Sequence, residues 1–311
     1  MSRMEAIVGE LETMGPVKRN EPLSRHVTFG VGGPADIFFT ARSRDQLRSA
    51  FVIAAAHGID CFVFGSGSNI LVGDGGIRGL VIENDASAVD GPSPVEGDGL
   101  AVLAVDSGVS FAGLARRMCR AGWAGIEWAV GIPGSLGGAV VHNAGAYEGC
   151  LADILVDASI SDQRGQERTW ANEELGFSYR NSIFGTGDAE PSVVLGVRLL
   201  LNKDSADRLA EVVGEYDRSR TTAQPPGRNC GSVFKNPPGD SSWRLVAEAG
   251  LRGARAGNAQ ISEKHANFIL NLGGATAADV KQLIDAAQSR VRERFGVELE
   301  TEVNLVGEGF A

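Results

Sequence analysis

Long apolar runs are missing from this chain. The longest, Ala50 to Ala56, falls far short of the roughly 20 residues needed to span a bilayer. The opening residues Met1-Ser2-Arg3-Met4-Glu5 lack the apolar stretch of a secretory signal, so neither membrane insertion nor export is expected. Cysteine is scarce. Cys61, Cys119, Cys150 and Cys230 are scattered and never form a Cys-x-x-Cys pair, which argues against a zinc site and a disulfide framework and fits a reducing cytoplasm. His26, His57, His142 and His265 form no spaced cluster, so no metal is expected. Positive charge is also in deficit, with 29 basic against 39 acidic residues and a net charge of −10. That balance argues against a nucleic-acid footprint or a membrane-surface patch, although backbone amides can still bind anions inside an acidic protein.

Glycine, by contrast, is abundant. The 42 glycines in 311 residues are about twice the usual share of roughly 7%. They cluster among apolar residues, as expected where backbone must approach a ligand closely. The remaining composition, 43% hydrophobic and 22% charged, is that of an ordinary globular protein, and the length favours two domains.

The pattern along the chain predicts an α+β fold. A strand at 36–40 leads to a helix opened by the capping box Ser43-x-x-Gln46 and stopped at Gly58. Strands at 61–64 and 79–82 complete a small β-α-β-β unit, with Gly65-Ser66-Gly67-Ser68-Asn69 at one strand end and a short extended stretch at 70–72 after it. A strand at 100–106 precedes a helix capped by Ser110, and strands are predicted at 154–160 and 193–201. A composition shift near Asn202 marks a domain boundary. Beyond it come a polar helix from Ser205 to about Arg218, a short helix ending at Gly250 and a strand at 267–271. The final helix is capped by Thr276 with Asp279 three residues on. Val280, Leu283, Ile284, Ala287 and Val291 form its apolar face. A terminal strand is predicted at 298–306.

Two glycine-rich segments invite an anionic cofactor. Gly65 to Asn69 fails as a Rossmann fingerprint, because Ile70 stands where the third glycine belongs, and it lacks a P-loop lysine. Its amides and serine hydroxyls can still wrap a pyrophosphate, though a tight turn explains the glycines equally well. In Ile132-Pro133-Gly134-Ser135-Leu136-Gly137-Gly138, Ser135 can cap a short helix whose free amides would attract an anion. Close helix–sheet packing is the alternative. Two such loops about seventy residues apart favour a dinucleotide lying across both.

Catalytic candidates are sparser. In Asn229-Cys230-Gly231-Ser232-Val233-Phe234-Lys235-Asn236-Pro237, Ser232 is displayed on a turn without a partner histidine or a Gly-x-Ser-x-Gly elbow. That suggests an acid or a binding group rather than a nucleophile, against the plainer reading of a turn serine capping its own backbone. Arg180, within Tyr179 to Phe184, has a surface salt bridge as its common fate. Glu300 and Glu302 fall on one face of a strand, where solvation is the ordinary outcome. His265 lies in a polar stretch, Ser262 to Asn267.

Taken together, these segments resemble the MurB family, UDP-N-acetylenolpyruvoylglucosamine reductases. The resemblance runs through 29–36, 65–69 with Asp74-Gly75-Gly76, 131–147, 179–184, 229–237, 249–253, 262–267 and 299–303, in the family's order. It implies an FAD-binding domain of the p-cresol methylhydroxylase/vanillyl-alcohol oxidase type at 1–201, in two α+β subdomains split near 85–100. It also implies a smaller α+β substrate-binding domain at 202–311, with the terminal strand 298–306 returning toward the flavin. The chain looks like the shorter, type II form, which lacks the extra tyrosine-bearing loop.

By the same resemblance, NADPH reduces FAD, and reduced flavin N5 then passes hydride to the vinyl carbon of UDP-N-acetylglucosamine enolpyruvate, giving UDP-N-acetylmuramate. Ser232 matches the proton donor to the resulting enolate. Arg180 and Glu302 match the pair that stabilises it, with Glu302 protonated as a hypothesis. FAD would be held by Gly65, Ser66, Gly67, Ser68, Asn69, Ile132, Pro133, Gly134, Ser135, Gly137, Gly138, Asn143, Ala144 and Gly145. Arg220, Lys235, Asn236 and His265 resemble substrate-contacting positions. A cytoplasmic monomer is expected. Two rivals stay open: a flavin oxidase of the same fold, betrayed by rapid O2 turnover, and a non-catalytic nucleotide-sugar-binding protein, betrayed by the absence of bound flavin.

Overall fold

The computed structural model describes residues 3–97, 99–185 and 190–310. Contacts divide the chain into two compact units. One comprises Met1–Lys18, Phe38–Ser66 and Leu80–Arg220, the other Arg19–Ile37, Gly67–Gly79 and Thr221–Ala311.

In the first unit the helix Arg44–Ala56 begins as its sequence predicts, with the Ser43 hydroxyl accepting the Gln46 amide at 3.2 Å. The reciprocal half of the capping box is absent. The Gln46 side chain instead accepts from the Arg42 amide at 2.8 Å, one residue too early. Cys61–Phe64 runs parallel to the neighbouring strand through Leu80–Glu83. The chain then enters a six-stranded sheet at Val89. Its spatial order is Glu167–Ala171, Leu155–Asp162, Ser192–Lys203, Leu100–Asp106, Val89–Pro94, with the short Trp123–Ala124 also on Ser192–Lys203. Ser192–Lys203 lies centrally; Val193 to Val197 are all buried, and from Val197 to Asn202 buried and exposed residues alternate. The helix Phe111–Arg120 presents Phe111, Leu114, Ala115 and Met118 to this core, and Phe111 meets Trp128 edge-on at 5.5 Å. The polar helix is longer than its pattern predicts, Ala206–Ala223. Leu209, Val213 and Tyr216 rest on the same core, and the chain passes to the second unit at Arg220–Thr221.

The second unit is built round the helix Ala277–Phe295, whose capping box is complete: Asp279 N donates to Thr276 Oγ1 and Thr276 N to Asp279 Oδ2, both at 3.0 Å. Val280, Leu283, Ile284, Ala287 and Val291 are all buried, the larger of them worth about 1.5–3 kcal/mol each. The Asp74 carboxylate reaches the same helix start, accepting from Ala277 N at 2.8 Å and Ala278 N at 3.1 Å.

Three expected extended segments differ. Ile70–Val72 does not join the strands beside it in sequence but pairs in parallel with Asn304–Val306. The terminal strand is confined to those last three residues. Before it, Glu302 N and Val303 N both turn to the single carbonyl of Val233, so no regular ladder forms over 298–303. The strand predicted at 267–271 begins only at Ile269, because Phe268 N donates to His265 O and bends the chain into a turn.

Candidate active site

Gly65 and Ser66, the start of the first glycine-rich segment, lie in the first unit with the whole of the second. A Cβ on Gly65 would overlap the Ser135 hydroxyl, so the strand end at Phe64 abuts the start of the helix Leu136–His142. That helix start is not a free anion nest. Leu136 N donates to Val109 O at 2.9 Å, Gly137 N to Ser107 O at 2.7 Å and Gly138 N to Ser135 Oγ at 3.4 Å. Gly137 serves close packing on Ser107. Gly138 differs: a Cβ there would meet only Ser135 Oγ, at 3.7 Å, and the residue is exposed, as are Ser66 and Pro133. Bare backbone facing outward beside small hydroxyl residues fits a flat cofactor lying against it. Ile132, Gly134 and Ala144 line the same run half-buried, and Gly145 must be glycine because Gly149 O stands 2.7 Å from its Cβ position. Asn143 turns its side chain inward, accepting from Ala152 N at 3.1 Å and donating to Ser178 O at 3.0 Å.

That last bond ties the glycine segment to Arg180. Ser178 and Asn181 exchange backbone hydrogen bonds at 3.1 and 3.2 Å, leaving Tyr179 and Arg180 at the tip of a tight turn. The buried Ser182 hydroxyl donates to Val141 O at 2.7 Å, and Arg180 Nη1 donates to Gly145 O at 2.9 Å. Arg180 has φ of +56°, an uncommon conformation for a residue with a side chain. Asn143, Tyr147 and Glu148 share positive φ, so four of the five such non-glycine residues described lie between 143 and 180. Strain of this kind clusters at functional sites.

Ser232 and Glu302 are brought together in the second unit. Gly231, at φ +80°, makes the turn, and its amide donates to Asn229 Oδ1 at 2.9 Å. The cap predicted of a turn serine is thus supplied by Asn229. Among the described residues, the half-buried Ser232 hydroxyl has no hydrogen-bond partner. Glu302 N donates to Val233 O at 2.8 Å and Lys235 N to Glu300 O at 2.9 Å, laying the Ser232 segment beside the Glu302 segment. In the sequence Asn267 reads as the end of a polar pocket wall or loop and the start of the strand predicted at 267–271. It is buried, and its Oδ1 accepts from Phe234 N at 2.9 Å while its Nδ2 donates to Phe234 O at 2.8 Å. Cys230 beside the serine is packed, and burial pushes its thiol up to about 12, which leaves no thiolate for chemistry at neutral pH.

The remaining candidates divide. Gly67 needs its positive φ and its missing Cβ, since His26 O stands 2.8 Å from where that atom would be. Ser68 is half-buried, and Asn69 Nδ2 donates to Glu302 O at 3.0 Å, so its side chain steadies the Glu302 segment. Lys235 pairs with Glu300, and Asn236 accepts from Ser242 N at 3.0 Å. Arg220 lies half-buried along Gly131 with no hydrogen bond or ion pair among the described residues, because its neighbour Asp217 is held by both Nη atoms of Arg116 at 2.7 Å. His265 Nδ1 accepts from Asn267 N at 3.3 Å, which puts the proton of the neutral ring on Nε2. Burial between Trp243 and Phe268 lowers the pKa of this ring. Among the described residues no group of three His, Cys, Asp or Glu could hold a metal, and no helix is long and apolar enough to cross a membrane.

Sequence comparison matches residues 35–170 to an FAD binding domain and 222–306 to the C-terminal domain of UDP-N-acetylenolpyruvoylglucosamine reductase. The reductase of Chloroflexus aggregans is 40% identical over 292 residues, covering 93% of this chain and 97% of its own. That of Rubrobacter xylanophilus is 42% identical over 301 residues, covering 96% and 99%. The crystal structure of UDP-N-acetylenolpyruvylglucosamine reductase (MurB) from Thermus caldophilus superposes with a TM-score of 0.78 at 36% identity, covering 94% of this chain and 99% of that one.

Proposed function

The chain belongs to the UDP-N-acetylenolpyruvoylglucosamine reductase family, and on that footing we propose that Ser232, Arg180 and Glu302 complete the reduction once hydride has been delivered. It is an FAD-dependent oxidoreductase acting on UDP-N-acetylenolpyruvoylglucosamine in peptidoglycan precursor synthesis. Its fold is α+β, with an FAD-binding domain of the p-cresol methylhydroxylase/vanillyl-alcohol oxidase type.

FAD, when bound and reduced, would supply the hydride for the vinyl group of the substrate, with NADPH as the reductant in this reading. The chain's own residues then manage the negative charge left beside the carboxylate. Arg180 pairs with the carboxylate oxygens as charge grows on them. Glu302, in its protonated form, donates a hydrogen bond to the same enolate. Ser232 gives its hydroxyl proton to the neighbouring carbon, the one beside the carboxylate that carries the enolate charge, closing the second C–H bond, and its alkoxide regains a proton from solvent. Within the first unit, Gly65, Ser66, Ile132, Pro133, Gly134, Ser135, Gly138, Ala144 and Gly145 would hold FAD, with Gly137 and Asn143 packing beneath that surface. Arg220 meets the substrate diphosphate, since a half-buried guanidinium that feels Asp217 only at a distance, with no hydrogen bond to it, favours an anion. Lys235, Asn236 and the Nε2–H of His265 contact the remainder of the nucleotide sugar. Four free cysteines fit a reducing compartment, and a cytoplasmic monomer belongs to the same reading.

The observation that carries the proposal is the Ser232 hydroxyl, held on a braced segment with no protein acceptor among the described residues. In a stopped-flow test, NADPH should bleach the flavin and the enolpyruvyl substrate should restore its colour. Ser232→Ala should leave bleaching intact and slow recovery about 10²–10⁴-fold, the span of general acid catalysis. Equal slowing of both halves would count against a proton-donor role. Near-normal recovery in Glu302→Gln would remove the acid role from that carboxyl.

A further inference from the structure

Asn267 turns every polar atom of its side chain, and its carbonyl, onto two residues next to Ser232. Its Oδ1 accepts from Phe234 N at 2.9 Å and its Nδ2 donates to Phe234 O at 2.8 Å, while its backbone O accepts from Val233 N at 2.8 Å. One side chain thus pairs with Phe234 as a neighbouring strand would. The Val233 carbonyl is free to point the other way, where Glu302 N at 2.8 Å and Val303 N at 3.3 Å donate to it. The Glu302 carbonyl in turn accepts from Asn69 Nδ2 at 3.0 Å. A continuous row of hydrogen bonds therefore runs Asn267–Val233–Glu302–Asn69, through segments far apart in the sequence. Asn267 itself is 3% exposed.

We propose that Asn267 is a positioning residue for proton delivery: its side-chain amide fixes the Val233–Phe234 peptide, and that peptide sets Ser232 and Glu302 in one frame. Ser232 cannot be held through its own hydroxyl, which must remain available to the substrate. It has to be held through its backbone, and Asn267 is the group that does so from the side opposite Glu302. A fully satisfied buried polar group of this kind makes one arrangement of its surroundings unique, which proton transfer to carbon requires. A misplacement of about 1 Å can cost about 10²-fold in rate.

The inference rests on the reading of Ser232 as donor, and the experiment separates the two. Flavin reoxidation by the enolpyruvyl substrate is measured in the holoenzyme, in Asn267→Ser, in Ser232→Ala and in the double variant, alongside substrate affinity, bound flavin and thermal unfolding. Asn267→Asp is the second variant, since it keeps the shape and the acceptor for Phe234 N–H but loses the donor to Phe234 O. We expect both Asn267 variants to retain flavin, to be reduced by NADPH at the normal rate and to bind substrate with little change. Reoxidation should slow about 10–100-fold. The double variant should be no slower than Ser232→Ala alone, because a residue acting through Ser232 has nothing left to position. Additive losses, normal reoxidation in the Asn267 variants, or failure of both to fold and retain flavin would each overturn the positioning role. If Ser232→Ala itself recovers colour normally, the donor reading fails, and the positioning role falls with it.

Discussion

At Gly65 a single methyl group is too much. The Cβ of an alanine there would overlap both the hydroxyl and the Cβ of Ser135, and neither can withdraw without loosening the cap on the helix Leu136–His142. Gly65→Ala should lower stability by about 1–3 kcal/mol, the usual cost of overpacking, and shift the surface assigned to FAD. The check is the ratio of flavin to protein absorbance after purification, with a denaturant midpoint beside it; a variant with full flavin and an unchanged midpoint would contradict this picture. His265 gives a prediction in pH. Its folded pKa lies below the ordinary 6.5, because burial disfavours the cation. The unfolded chain therefore binds the proton first as pH falls, and stability declines from about pH 6.5 down to the folded pKa, then levels. Denaturation midpoints measured between pH 7.5 and 5 should show this fall in the parent chain, and His265→Gln should flatten it.

At the scale of elements, Asp74 shows how a motif can be legible as a pattern while its physical purpose is not. Asp74-Gly75-Gly76 belongs to the family-like segments, yet nothing nearby in sequence explains the carboxylate. In the structure it receives the first two amides of the helix Ala277–Phe295, two hundred residues later, where helix N-termini favour negative charge. Asp74→Ala should cost about 2 kcal/mol, since hydrogen bonds to a charged group are worth about 1.5–3 kcal/mol, whereas Thr276→Ala should cost about 1 kcal/mol. Urea unfolding of both variants tests the order. That helix was legible in full, cap and apolar face alike, because its signals are local. The terminal strand was not. Alternation of Leu299 and Val303 with Glu300 and Glu302 describes burial correctly, but whether a ladder forms depends on the partner, and the partner offers one carbonyl to two amides. The same limit hid Asn267, whose role exists only once Phe234 has been folded beside it. Arg180 and Ser232 could be singled out from residue type and turn chemistry. The turn that fixes Arg180 at positive φ, and the helix-start amides already taken by Val109 and Ser107, could not.

For the whole molecule, the net charge of −10 sets the condition under which FAD and a nucleotide sugar must bind. Long-range attraction cannot gather these anions, and beyond about 8–10 Å it is screened in any case at physiological salt. For FAD we expect affinity from short-range contact with bare backbone and small hydroxyls, such as the exposed Ser66, Pro133 and Gly138 would offer beside a helix whose own amides are occupied. A ligand bound in this way stabilises the folded chain by mass action, about 2.7 kcal/mol when free ligand stands at 100 times Kd. For a unit of this size each kcal/mol moves the midpoint by about 2–4 °C, so removal of flavin should lower Tm by about 5–10 °C and added FAD should restore it. Ionic strength discriminates the source of the affinity. If backbone contact dominates, raising salt from about 20 to 150 mM should leave the FAD-induced shift intact or enlarge it, because repulsion is screened while short contacts are not. A shift that collapses over that range would mean that exposed cations carry the binding, and Gly65→Ala would then have no reason to lose flavin.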